Sequence, residues 1–134
     1  MPVVVGYVAT PEGRAALRHA ARECRLRNTD LVVINSNRGG RDLDADDAVR
    51  YERDVEYIRS QLDADGVSYE VRQLVRGMDP AEDLIAVAVE VKADFIVIGL
   101  RRRTPVGKLI LGSNAQRILL EAPCPVLAVK AESD

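Results

Sequence analysis

The chain has no tryptophan, one phenylalanine, one histidine and two cysteines among its 134 residues. Each scarcity excludes something. Cys24 and Cys124 fall in no C-x-x-C spacing, so neither a disulfide framework nor a zinc site is expected, and free thiols fit a reducing compartment. His19 lies inside a helical stretch with no nucleophile or carboxylate constellation beside it and reads as a surface histidine. No run approaches the roughly 20 apolar residues of a membrane span. The opening Met1–Gly6 segment is too short an apolar run, without a charged flank, to serve as a signal peptide. The expectation is a cytoplasmic protein with no membrane partner. A net charge of −2 leaves no bulk positive field for nucleic acid.

What is abundant is aliphatic. Hydrophobic residues make up 47% of the chain, and with so few aromatics the core must be built of Val, Leu, Ile and Ala. Short valine-rich runs without alternation are the mark of parallel strands covered on both faces. Such runs alternate with helical periodicity from end to end. Val3 to Val8 predicts a first strand. Thr10-Pro11 predicts an N-cap and first helical position, followed by a helix facing inward with Ala16, Leu17, Ala20, Ala21 and Cys24. Leu31 to Asn35 predicts a second strand, and Asn37 to Asp47 a polar surface loop, whose Asp42, Asp44, Asp46 and Asp47 lack the ligand spacing of a calcium loop.

Ala48, Tyr51, Val55, Ile58 and Leu62 then predict an amphipathic helix stopped by Asp65-Gly66. Val67 to Val75 predicts a third strand. Asp79-Pro80-Ala81-Glu82 carries a capping signature ahead of a helix burying Ala81, Leu84, Ile85, Ala88 and Val91. Phe95 to Ile98 predicts a fourth strand, Ser113 to about Glu121 a last helix, and Val126 to Val129 a fifth strand. Tyr7 is expected in the core, and Cys24 and Cys124 as packed small residues.

The result is a single α/β domain over residues 1–134: a doubly wound, five-stranded parallel sheet in the order 3-2-1-4-5, with helices on both faces. Ligands of such sheets bind beyond the carboxyl ends of the strands where the order reverses. Here that places a site between the loops after Val8 and after Ile98.

The second of these loops is long. Thirteen residues, 99–111, separate Ile98 from Gly112, where α/β units usually take about two to six. The segment carries Gly99, Arg101, Arg102, Arg103, Gly107, Lys108, Gly112 and Ser113. Glycines let backbone N–H groups approach an anion, arginines grip phosphate bidentately, and a helix N-terminus favours negative charge. A P-loop is excluded because Lys108 is followed by Leu109 and Arg102 stands where the motif's first glycine belongs. No G-x-G-x-x-G follows the first strand either. The basic run 101–103 reads either as an anion clamp or as a solvated surface. Ser113 to Gln116 reads as a capping box, which leaves the serine free to contact phosphate as well.

Gly99-Leu-Arg-Arg102, nine residues, then Gly112-Ser113 resembles the nucleotide motif of the universal stress protein family: G, two residues, G, nine residues, G, then S or T. Val3-Val4-Val5-Gly6 with Thr10-Pro11-Glu12, Gly77-Met78-Asp79-Pro80-Ala81, Ala93-Asp94 leading into Gly99, and Ala122-Pro123-Cys124-Pro125-Val126 also follow that family's order. The resemblance spans the whole chain. It implies a regulator that is not an enzyme and that binds an adenine nucleotide, ATP or AMP. The residues so implied are Val8, Ala9, Thr10, Asn35, Gly99, Arg101, Arg102, Gly112, Ser113 and Asn114, with no catalytic or metal-ligating residue among them.

Three positions depart from the family. Val8 stands where nucleotide-binding members usually carry Asp, and Ala9 replaces a common Gly. Arg102 replaces the second glycine, where its side chain either fills the phosphate cradle or supplies a guanidinium to it. The alternative is therefore a dimeric interaction protein that has lost nucleotide binding. The fifth strand, apolar and at the expected sheet edge, implies a homodimer with Val126 and Val129 near the interface.

Overall fold

Strands with no polar face need cover on both sides, and the fold supplies it. The structure is a computed structural model and describes residues 1–35, 45–73, 79–100 and 112–131. The first strand, β1 (Val3–Tyr7), is followed by α1 (Pro11–Arg27), β2 (Leu31–Asn35) and α2 (Ala45–Asp65). Then come β3 (Tyr69–Gln73), α3 (Pro80–Val91), β4 (Phe95–Leu100), α4 (Ser113–Glu121) and β5 (Val126–Lys130). All pairings are parallel, in the order β3-β2-β1-β4-β5, as the sequence predicts. Central β1 pairs Val4 with Val32 of β2 on one side and Ile96 of β4 on the other.

The sheet divides the core in two. Val3, Val5, Tyr7, Leu31, Val33, Val97 and Val129 pack against Ala16, Leu17, Ala20, Ala21 and Cys24 of α1 and Ile58 and Leu62 of α2. Val4, Val32, Ile34, Ile96 and Ile98 pack against Ala81, Leu84, Val87 and Ala88 of α3 and Ile118 of α4. Val87 is buried although the sequence reading passed it over, whereas Ile85 is only half-buried. Tyr7 is buried and stacks on Tyr57, with ring centroids 6.0 Å apart.

Element boundaries shift where local chemistry overrides periodicity. β1 stops at Tyr7, one residue early, because the Val8 carbonyl turns to accept the Thr10 N–H at 2.8 Å. α2 begins at Ala45 rather than Ala48, so the helix takes in the last residues of the expected loop. β3 begins at Tyr69 rather than Val67, and positions 74 and 75 of the expected strand lie outside the described residues.

The caps of α1 and α3 form where expected. Thr10 Oγ1 accepts the Gly13 N–H at 3.1 Å, and an Asp79 carboxylate oxygen accepts the Ala81 N–H at 3.4 Å. Glu82 does not complete a capping box on α3: its carboxylate accepts a hydrogen bond from Arg117 instead. The capping box expected at Ser113 is also absent. Gly112, extended at φ −66° and ψ 163°, is the N-cap of α4, so Ser113 is the first helical residue and no side chain among the described residues caps this end.

Candidate functional site

At the carboxyl ends of β1 and β4, where the sheet's winding reverses, lies a cavity of about 600 Å³. It falls within the roughly 300–1,000 Å³ of small-molecule sites. The strand ends contribute Gly6, Ile98, Gly99 and Leu100, the loop after β1 contributes Val8 and Thr10, and α1 contributes Glu12 and Gly13. Pro80, Ala81 and Leu84 of α3 form one wall; Gly112, Ser113, Asn114, Ala115 and Ile118 form another.

Two backbone contacts shape the floor. A Cβ at Gly13 would run into the Val8 carbonyl oxygen, and one at Gly99 into the Glu12 carbonyl oxygen. Both glycines therefore let the first turn of α1 settle directly onto the ends of β1 and β4. Gly99 has a packing task besides any contact with a ligand. Gly112 differs: no described atom lies within 4 Å of the place its Cβ would occupy, and its φ is ordinary. Its lack of a side chain leaves open space at the cavity edge.

That edge attracts anions. The first intrahelical bond of α4 runs from the Gln116 N–H to the Gly112 carbonyl at 3.0 Å. The N–H groups of Ser113, Asn114 and Ala115 therefore precede the hydrogen-bonded ladder and point out of the helix's positive end. Val8 of the same lining is 41% exposed, and its side chain offers only methyl groups.

Of the residues implied by sequence, the structure brings Val8, Thr10, Gly99, Gly112, Ser113 and Asn114 together around one cavity. Ala9 is exposed in the loop beside it but is not part of its lining. Asn35 lies at the end of β2 in register with Tyr7, and strand alternation puts its side chain with Leu31 and Val33, on the α1/α2 face away from the cavity. There it is 1% exposed, and among the described residues neither its amide nitrogen nor its oxygen has a hydrogen-bond partner. Arg101 and Arg102 lie outside the described residues.

Sequence reasoning missed Gly6, Glu12, Gly13, Pro80, Ala81, Leu84, Ala115 and Ile118 as lining residues. The Pro80-Ala81 cap was a readable signal for one wall; the Gly13 contact depends on tertiary approach and left no local mark.

One cation knits the walls together. Arg117 of α4 donates from Nη1 to Asp79 at 2.9 Å, from Nη2 to Glu82 at 2.7 Å and from Nε to Glu121 at 2.8 Å. Its hydrogen bonds to Glu82 and Glu121 raise its pKa further above the usual guanidinium range. On the other sheet face, burial, with Asp54 adding to it, pushes the Tyr7 hydroxyl up to about 12, and burial pushes the Cys24 thiol up to about 11. No group of His, Cys, Asp and Glu fit to hold a metal occurs among the described residues.

Comparison with known proteins agrees with this fold. The sequence profile described as "Universal stress protein family" matches residues 1–130. A universal stress protein of Mycolicibacterium smegmatis is 48% identical over 130 residues, covering 96% of both chains. Among solved structures, a universal stress protein from Archaeoglobus fulgidus superposes with a TM-score of 0.84 at 37% identity, over 97% of this chain and 98% of its own. Another structure of a universal stress protein from that organism, in complex with dAMP, gives 0.79 at 33% identity over the same shares.

Proposed function

The chain belongs to the universal stress protein family, and on that footing we propose that it is a cytoplasmic stress-response regulator, not an enzyme, that binds an adenine nucleotide, AMP or ATP. The observation that carries the reading is the cavity at the β1/β4 switch point, with the uncapped N-terminus of α4 on its edge. Phosphate oxygens accept from the N–H groups of Ser113 and Asn114 and from the Ser113 hydroxyl, and the missing side chain of Gly112 gives them room. Leu84, Ile98 and Ile118 supply apolar surface for the nucleoside. Arg101 or Arg102 adds charge to the phosphate end. The dAMP complex of the A. fulgidus relative supports an adenine nucleotide as the ligand class.

Calorimetric titration with AMP and with ATP, alongside mass spectrometry of small molecules retained through native purification, tests this. Saturable binding of either nucleotide is expected. No heat up to millimolar nucleotide and no retained nucleotide would end the proposal.

A second reading has a specific observation behind it. The Val8 side chain, on a residue of the cavity lining, cannot accept a hydrogen bond from a sugar hydroxyl, which fits a chain that has lost the nucleotide and acts through protein contacts. Under that reading Val8→Asp combined with Arg102→Gly creates binding that the native chain lacks; native binding of equal strength removes it. Under either reading the copy-to-copy contact is a homodimer through edge strand β5. Its exposed apolar side chain is Leu127, at 37%, whereas Val129 is buried beneath α1 and Val126 is half-buried, so both contribute through their backbone. Light scattering at micromolar concentration is expected to give twice the chain mass.

A further inference from the structure

The wall of the cavity made by α3 is acidic at its rim. Asp79 caps this helix and Glu82 lies in its first turn, flanking Pro80 and Ala81 of the lining. Two carboxylates beside a site for an anion would oppose it. Both, however, are held by one guanidinium, that of Arg117, at 2.9 and 2.7 Å. The same guanidinium holds Glu121 at 2.8 Å, which fixes its direction along α4. Arg117 is one turn beyond Ser113, so the cation that answers the acids of α3 belongs to the helix whose N-terminus faces the cavity.

We infer that Arg117 is a charge-compensating residue of the nucleotide site, which makes an acidic rim compatible with a polyanionic ligand. Its charge cancels part of the carboxylate field that the ligand's phosphates meet. An isolated exposed ion pair contributes little to stability, since solvent screens it and the side chains lose freedom. The function of this three-carboxylate hub is therefore read in ligand affinity rather than in folding.

The inference rests on the nucleotide reading, and the charge of the ligand separates the two. With roughly 10 Å between the guanidinium and the phosphates in a water-like medium, removing one positive charge at low ionic strength weakens AMP by about threefold and ATP by about eightfold. Adenosine, which is uncharged, is unaffected. The experiment is titration of the wild-type chain, Arg117→Gln and Arg117→Gln/Glu82→Gln with adenosine, AMP and ATP at about 10 mM and about 500 mM salt, together with thermal melts. Expected is a loss in Arg117→Gln that grows from adenosine to AMP to ATP, shrinks at high salt, and is largely restored in the double variant at an unchanged melting temperature. Equal losses for all three ligands, or losses that track a fall in melting temperature, overturn the inference and leave Arg117 a packing residue. If the wild-type chain binds none of the three, the nucleotide reading fails, and this inference with it.

Discussion

A buried amide without a hydrogen-bond partner destabilises a fold by about 1–3 kcal/mol, and among the described residues Asn35 finds a partner for neither its nitrogen nor its oxygen. Asn35→Leu, similar in size and in register with Tyr7 of β1 and Gln73 of β3, is expected to raise the urea midpoint with an unchanged m-value, by about 1 kcal/mol. A lowered midpoint would mean that the amide is engaged in solution. Cys24 offers a complementary test. With its pKa pushed up to about 11 by burial, its thiolate fraction at pH 8 is about one in a thousand, so alkylating reagents are expected to label it only after unfolding. At this scale the sequence was informative about residue type and uninformative about direction. That Asn35 ends the second strand was legible. That its side chain turns away from the switch-point cavity follows from the pairing register, which no local pattern encodes.

Helices and strands were legible as elements because their apolar periods differ, and the ends of α1 and α3 because Thr10-Pro11 and Asp79-Pro80 are chemically distinctive. The span of α4 was read correctly from Ser113 to Glu121, but its cap was not: Ser113 looks like a cap, whereas Gly112 already holds the extended conformation that precedes the helix. Glu82 was read as part of a cap because its true partner lies 35 residues away on another element. The glycines separate packing from binding. Gly13→Ala and Gly99→Ala drive a methyl group into backbone carbonyls and are expected to destabilise by about 2–3 kcal/mol each. Gly112→Ala meets open space, so its loss in a denaturant melt stays below about 1 kcal/mol, an alanine N-cap being slightly worse than glycine. Its expected defect is in nucleotide affinity. A Gly112→Ala chain that binds AMP like the wild type would remove this residue from the site.

At the scale of the whole molecule the strand order was fully readable, since strand-helix alternation and right-handed crossovers leave few alternatives. The occupancy of the cavity was not, because Val8 and Arg102 argue in opposite directions from Gly99 and Ser113. Stability against pH is a property of the same scale. Tyr7 is raised from 10.0 to about 12 and Cys24 from 9.0 to about 11, so the native state keeps protons that the unfolded chain releases. The stabilisation is complete below pH 9 and is lost as pH rises through 11 and 12. Urea midpoints are expected to hold level from pH 7 to 8.5 and to fall between pH 9 and 12, less steeply in Tyr7→Phe.

The two margins of the sheet are unlike. β3 is studded with charge, Arg72 lying between Glu70 at 2.7 Å and Glu90 of α3 at 2.6 Å, while β5 reads Val-Leu-Ala-Val before its terminal lysine. Charged side chains blunt an edge strand against pairing, and an apolar strand invites it. A sheet with one adhesive margin and one inert margin has a built-in stop: joining two copies consumes both adhesive margins and leaves only blunt ones outside. If the chain self-associates through β5 as proposed, the charged margins left outside stop the association at a pair.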